Sequence, residues 1–293
     1  MKACVLRFPE GKIKAMTFSY DDGAIEDKKL INLFKKYGVK ATFNYNSSHF
    51  GEYNPTDTLV IPEGHLTADE LREISADPQF EIACHGHAHP YYARLPQAAA
   101  TNDIIKNRNE LERITGKIIR GFAYPSVSAT NDVSETALKA ADIAYVRTAT
   151  TEPSKSFAIP NNWYRWQPTC HHKDANVVFE KFAELKETIF APYLMYVWGH
   201  SFEFERENNW ELIENLLENC HSNPDIWFAT NMEIYEYVNA FNRLILSADG
   251  TKAYNPTKID LWAGICTKNV KKAPIPTIKI PAGETVRLLE NLL

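Results

Sequence analysis

Ile13-Lys14-Ala15-Met16-Thr17-Phe18-Ser19-Tyr20-Asp21-Asp22-Gly23 decides how the rest of the chain is read. Ile13 to Ser19 has the texture of a buried strand, and Asp21-Asp22-Gly23 follows at its C-terminal end. Adjacent side chains at a strand end point in different directions. One carboxylate can therefore bind a metal while its neighbour faces a substrate. Alone, the same Asp-Asp-Gly reads first as a plain turn that uses these residues for its backbone needs.

Working outward, strand-like and helix-like stretches alternate. Asp27 to Tyr37 has helical spacing, with Leu30, Ile31, Phe34 and Tyr37 on one face and Gly38 as a stop. Lys40 to Asn46 reads as a strand. Thr67 with Glu70 forms a capping box ahead of a helix, and Phe80 to Cys84 is a strand that delivers His85. Leu95 to Thr115 is a long helix, Ile118 to Tyr124 a strand, Asp132 to Ala141 a helix and Ile143 to Arg147 a strand. Asn176 to Glu187, Arg206 to Asn219 and Met232 to Phe241 are helical. Tyr193 to Gly199 and Ile226 to Thr230 are strands. This alternation predicts a parallel α/β architecture whose motif residues sit at the C-terminal strand ends, where such folds build their sites. Periodicity does not separate a barrel from a flat doubly wound sheet. Past residue 242, short runs at Leu244–Leu246, Ile259–Ile265 and Thr277–Ile280, separated by turn signals, predict a small antiparallel extension.

Two further segments carry chemistry. His85-Gly86-His87-Ala88-His89-Pro90 offers imidazoles four residues apart, which the spacing puts on one side of a helical turn. Gly86 excludes the HExxH pattern, so a general base must come from elsewhere, and Asp21 is the candidate. His87 is expected to point away. Val197-Trp198-Gly199-His200 adds a late His able to protonate a leaving group. One Asp and two His for a divalent ion, a second Asp as base and a His as acid are the parts of metal-assisted hydrolysis.

Composition narrows the field. The 293 residues are 44% hydrophobic and 24% charged, with net charge -5. That argues against a broad nucleic-acid or anionic-membrane surface. Five scattered Cys without a CxxC pair argue against a disulfide framework or a zinc knuckle and fit reduced thiols. The N-terminus lacks a long apolar run and no 18-residue apolar stretch occurs, so a cytoplasmic protein is expected.

The order Thr17-Phe18-x-x-Asp21-Asp22-Gly23, Glu81-Ile82-Ala83-Cys84-His85-x-x-x-His89-Pro90, Phe122-Ala123-Tyr124-Pro125 and Trp198-Gly199-His200 resembles the polysaccharide deacetylases, the NodB-homology group or carbohydrate esterase family 4. The resemblance covers roughly residues 10 to 240. It implies a distorted (β/α)7-8 barrel over residues 1–241, with residues 242–293 as a β-rich extension packed on it. It implies Asp21 as catalytic base, Asp22, His85 and His89 as metal ligands and His200 as general acid. It further implies Zn2+, or Co2+ or another divalent ion, an acetylated carbohydrate as substrate, and an oxyanion-stabilising N–H near Tyr124.

The departures are specific. Where the family commonly reads Arg-Pro-Pro-Tyr-Gly, this chain has Ala123-Tyr124-Pro125-Ser126-Val127, so the Arg that orients the catalytic Asp is missing. Arg120 and Arg147 are the candidates to replace it. Asn161-Asn162-Trp163 stands where an Asp near a Trp usually tunes the acid His, and Trp198-Gly199-His200 replaces the common Leu-x-His. In Trp163 to His172, Trp163 and Trp166 are candidates to stack on a sugar and His171 and His172 to touch it, against the alternative of a loop anchored by its Trp side chains. Glu203 and Glu205, just after His200, could contact substrate, but a solvated charged loop is the preferred reading. Beside deacetylation stand hydrolysis of another C–N bond, in a cyclic imide or ureide, and a non-catalytic carbohydrate- or metal-binding protein.

Overall fold

The computed structural model describes residues 4–51, 64–126, 130–149, 154, 156–188, 191–265 and 275–288. In chain order the elements of the barrel and its N-terminal lead are β1 (Cys4–Arg7), β2 (Lys14–Asp21), α1 (Asp27–Tyr37), β3 (Ala41–Tyr45), α2 (Ala68–Ala76), β4 (Phe80–Cys84), α3 (Gln97–Thr115), β5 (Gly121–Ala123), α4 (Asp132–Ala140), β6 (Tyr145–Arg147), β7 (Cys170–His171), α5 (Ala175–Glu184), β8 (Tyr193–His200), α6 (Phe202–Arg206), α7 (Glu211–His221), β9 (Ile226–Phe228) and α8 (Asn231–Asn242). β6, β5, β4, β3, β2, β8 and β7 lie side by side in one curled parallel sheet, with β9 beside the first half of β2. A parallel bridge between Arg147 and Trp166 draws the β6 edge toward the segment that leads into β7. The chain therefore has the distorted (β/α) barrel fold.

Strand alternation explains how one sequence serves two environments. On β2, Met16, Phe18 and Tyr20 face the helices and join Phe34 in the main apolar core. Thr17, Ser19 and Asp21 lie on the other face and bond across the barrel interior. The period-2 geometry of a strand makes this division. Its interior side is filled by a polar lattice. Thr17 Oγ1 donates to Asn231 Oδ1 at 2.8 Å, Asn231 Nδ2 donates to the Tyr196 hydroxyl at 2.5 Å, and the Thr42 and Tyr145 hydroxyls both donate to the Glu81 carboxylate. Burial pushes that carboxyl up to about 7, against the hydrogen bonds from Met232 N–H, Tyr145 and Thr42.

The end of the barrel away from the strand C-termini is covered by antiparallel strands. β10 (Ile245–Leu246), β11 (Lys252–Tyr254) and β14 (Thr285–Arg287) form one small sheet. β12 (Leu261–Ile265) and β13 (Thr277–Ile280) form another, in which β1 pairs with β12. The extension thus recruits the N-terminal strand, a long-range pairing that no local pattern in Cys4–Arg7 signals. Phe8, Ala15, Leu194, Tyr237, Leu261 and Ala263 share its core. The Tyr237 hydroxyl donates to Arg7 O and accepts from Trp262 N–H.

Local signals behave as their chemistry dictates. Gly38 ends α1 in the left-handed region at φ 66°, and Thr67 and Glu70 close a reciprocal capping box on α2. The helix expected over Arg206–Asn219 is instead two, because Asn208 turns left-handed at φ 50° between α6 and α7. Cys84, Cys170 and Cys220 are buried free thiols, and Cys266 lies outside the described residues. Among the described residues no helix is long and apolar enough to cross a membrane.

Candidate metal-hydrolase site

β2, β4 and β8 deliver their motif residues to one open cavity of ≈ 380 Å³ at the C-terminal strand ends. Asp21, Asp22, His85, His89, Tyr124 and His200 line it together with Tyr91, Ser126, Ala149 and Trp198. Strand register accounts for the meeting, since Asp21 lies opposite His200 across the β2–β8 pair.

Asp22 Oδ1 lies 3.3 Å from His85 Nε2 and 3.5 Å from His89 Nε2. Donors bound tetrahedrally at the usual zinc distances would be separated by about 3.3 Å. The three residues therefore fit a divalent ion. The decisive sign is that both Asp22 carboxylate oxygens are buried without a hydrogen-bond partner. Burial would raise this carboxyl, but the close His85 imidazole, with those of His200 and His89, outweighs it, so its pKa falls below the ordinary range. His85 Nδ1 contacts Ala123 O at 2.9 Å, and donation there leaves Nε2 with its lone pair toward Asp22. Burial and the nearby His85 push His89 down to about 4, which favours the neutral imidazole that ligates metal.

The backbone that holds these ligands is not helical, contrary to the spacing argument. After β4 the chain turns through Gly86 at φ 80° and His89 at φ 50°, and Asp22 itself sits at φ 75°. A Cβ on Gly86 would lie 2.6 Å from the Tyr92 hydroxyl. Asp103, on α3, ties the turn together by accepting from His87 N–H at 2.9 Å and Ala88 N–H at 3.2 Å, and from Tyr92. Unusual backbone held by surrounding contacts is a common mark of a functional site. His87 points away and meets Ser47 and Glu110.

Asp21 is held from two sides. Asn44 Nδ2 donates to its Oδ1 at 2.8 Å, and Arg147 Nη2 donates to its Oδ2. Arg147 is fully buried, with its guanidinium 4.8 Å from the Trp198 ring centre. It comes from β6 and supplies the contact that the absent motif Arg would make. Arg120 instead pairs with Asp142.

His200 Nε2 lies 4.0 Å from Asp21 Oδ2 and 3.6 Å from Asp22 Oδ2, and its Nδ1 lies 3.5 Å from Glu203 Oε1. Burial would lower its pKa, but Glu203, Asp22 and Asp21 together raise it to about 9. Glu203 is only 12% exposed and also meets His171 and His172, so it is no solvated loop residue. Glu205 is exposed, beside Lys29 and Trp210.

Of the two readings of Trp163 to His172, the side-chain placements favour the anchored segment over one that lines the cavity. Trp166 is buried against Tyr145, Tyr196 and Trp163. Trp163 packs on Tyr235, and neither indole lines the cavity. Trp198 is the indole that does. His171 meets the edge of Trp198, and His172 is buried behind β8, so neither imidazole lines the cavity. The Tyr124 amide donates to Arg147 O at 3.0 Å and is committed to the sheet, which corrects its expected oxyanion role. Pro125 has no N–H, so the next amide on this turn is that of Ser126, a cavity-lining residue at φ 66°.

A family model described as polysaccharide deacetylase matches residues 9–146. Over that span, a little under half of the chain, the sequence is similar to the polysaccharide deacetylases. No curated protein matches the chain. Among solved structures, a putative polysaccharide deacetylase from Mycobacterium smegmatis superposes with a TM-score of 0.58 at 13% identity, covering 83% of this chain and 96% of the other. A family 4 acetyl xylan esterase from Clostridium thermocellum, in complex with a cobalt ion, gives 0.51 at 16% identity over 76% and 91%. Puue allantoinase gives 0.57 at 13% identity over 78% and 91%. At these identities the likeness is one of fold. The family span contains Asp21, Asp22, His85, His89 and Tyr124, while His200 lies beyond it.

Proposed function

We propose that this chain is a polysaccharide deacetylase, a metal-dependent hydrolase that removes acetyl groups from a carbohydrate. The observation that carries the proposal is the orphaned Asp22 carboxylate between His85 and His89, with Asp21 and His200 facing it across one cavity. A divalent ion bound there, Zn2+ by donor chemistry, would supply Lewis-acid polarisation of the acetyl carbonyl.

The chain's own residues would do the rest. Asp21, aimed by Arg147 and Asn44, accepts the proton of the attacking water at its carboxylate. His200 donates a proton from Nε2 to the departing sugar nitrogen or oxygen, and Glu203 faces its Nδ1. Trp198, Tyr91 and Tyr124 wall the cavity and offer ring faces and edges to the sugar. The test is acetate release from N-acetylglucosamine oligomers and acetylated xylan before and after chelation, with a cyclic ureide as a further substrate. Chelator-sensitive acetate release is expected. Acetate release indifferent to chelation would overturn metal dependence. Turnover of the ureide alone would move the reaction to a ring C–N bond.

A pH dependence follows from the acid. His200 works protonated, so activity is present below its pKa and is lost as pH rises through it. A cation on Asp22 would offset that carboxylate's support, and with no cation on Glu203, at one equivalent of metal, Glu203 and Asp21 hold the proton. Glu203→Gln should therefore move the alkaline limb of kcat to lower pH by about one unit or more. An unmoved limb would show that Glu203 does not act on His200.

A further inference from the structure

We infer that His171, His172 and Glu203 form a second divalent-cation site, separate from Asp22, His85 and His89 and sharing no ligand with them. Glu203 Oε2 lies 3.0 Å from His171 Nε2 and 3.2 Å from His172 Nε2. Each residue places a donor atom within 4.8 Å of the other two. These separations approach the tetrahedral edges already seen around Asp22, and two imidazoles with one carboxylate are a zinc-class donor set.

His172 supplies the independent observation. It is 1% exposed, and neither ring nitrogen has a hydrogen-bond partner. The ring is stacked between Tyr20 at 5.9 Å and Phe204 at 4.2 Å, with interplanar angles of 16° and 28°. Room for it exists only because residue 199 is Gly, where a Cβ would lie 2.1 Å from His172 Nδ1. Glu203 Oε2 is likewise buried without a hydrogen-bond partner. Buried polar atoms are nearly always satisfied, and here the unsatisfied nitrogen and oxygen face each other. The His171 and His172 ring centres are 4.2 Å apart.

An ion would displace two contacts, the 3.0 Å approach of His171 Nε2 to Glu203 Oε2 and a longer one at Nδ1. His171 Nδ1 accepts the Lys173 N–H at 3.4 Å. Ligation through Nε2 moves the ring proton to Nδ1 and gives up that long contact. Glu203 Oε1 points elsewhere, 3.5 Å from His200 Nδ1 and 3.5 Å from Arg206 Nη2. His200 stands between the two ligand sets, its Nε2 3.6 Å from Asp22 Oδ2 and its Nδ1 3.5 Å from Glu203 Oε1, and no residue belongs to both sets. The arrangement is thus two separate sites, unlike a two-metal clamp with ions about 4 Å apart.

The experiment is equilibrium dialysis of the metal-free full chain against Zn2+ alone, read by elemental analysis. A parallel series with Co2+ is read by its visible absorption. Two equivalents per chain are expected for the natural sequence, and one for His171→Ala and for Glu203→Gln. Asp22→Asn should keep one equivalent, still lost on adding His171→Ala. His171 lies at the edge of the core, and far-UV circular dichroism identifies folded variants. One equivalent in the natural sequence that Asp22→Asn abolishes, or two in both His171→Ala and Glu203→Gln, would overturn the second site. Two equivalents retained in Asp22→Asn would instead overturn the first site and leave this one standing.

Discussion

Asp21→Asn is expected to lower kcat by about 10³-fold while the chain keeps its fold and its metal content. The amide has nearly the shape of the carboxylate, so it can still accept from Arg147, but it cannot take up the proton of an attacking water. Asp21 is not placed among the first-site ligands, whose carboxylate is Asp22, so metal stoichiometry should be unchanged. The combined readout separates base from ligand. Loss of turnover with loss of metal would mean that the two aspartates have exchanged roles. Unchanged turnover would remove Asp21 from the chemistry.

Arg147→Met should impair both catalysis and folding. The side chain is fully buried and its cation meets Asp21, so removal leaves a carboxylate buried beside an apolar group. Breaking a buried pair from one side costs about 3–5 kcal/mol, which for a chain of this size lowers Tm by on the order of 10 °C. Asn44 would still hold one oxygen, but the second would lose its fixed direction. Misdirection of a base by about 1 Å costs about 10²-fold in rate. Arg147→Lys separates charge from geometry, because Lys keeps the cation and lacks the planar fork. It should recover most of the stability and less of the rate. Equal recovery of both would show that charge alone is required.

The sequence was most legible where the signal was local. Phe80–Cys84 and Asp27–Tyr37 stand where hydrophobic period and punctuation place them, and Thr67 caps as its spacing with Glu70 demands. The cavity also gathers residues of all three motifs, because parallel strands present their C-terminal ends together. What was not legible depends on which neighbour a side chain meets. Arg147 reaches Asp21 across 126 positions of chain, and no motif announces that contact. Glu203 looked like part of a charged loop because sequence shows its neighbours Glu205 and Arg206, not the three imidazoles around it. Ring chemistry alone leaves Trp163 and Trp166 open as sugar platforms or as loop anchors, and they sit beside Tyr145 and Tyr235 away from the cavity. The one usable hint was the alternation on β8, where Leu194, Tyr196, Trp198 and His200 share a face and therefore put Trp198, rather than the loop indoles, beside the acid.

The fit between Gly199 and His172 constrains how this chain can vary. A strand position that admits no side chain and an imidazole filling the same space form a coupled pair. Any larger residue at 199 requires a smaller one at 172 in the same step, since either change alone leaves an overlap or a void. The two positions should exchange volume together among related chains. A glycine immediately before the late histidine would then mark the relatives that carry an imidazole behind the acid.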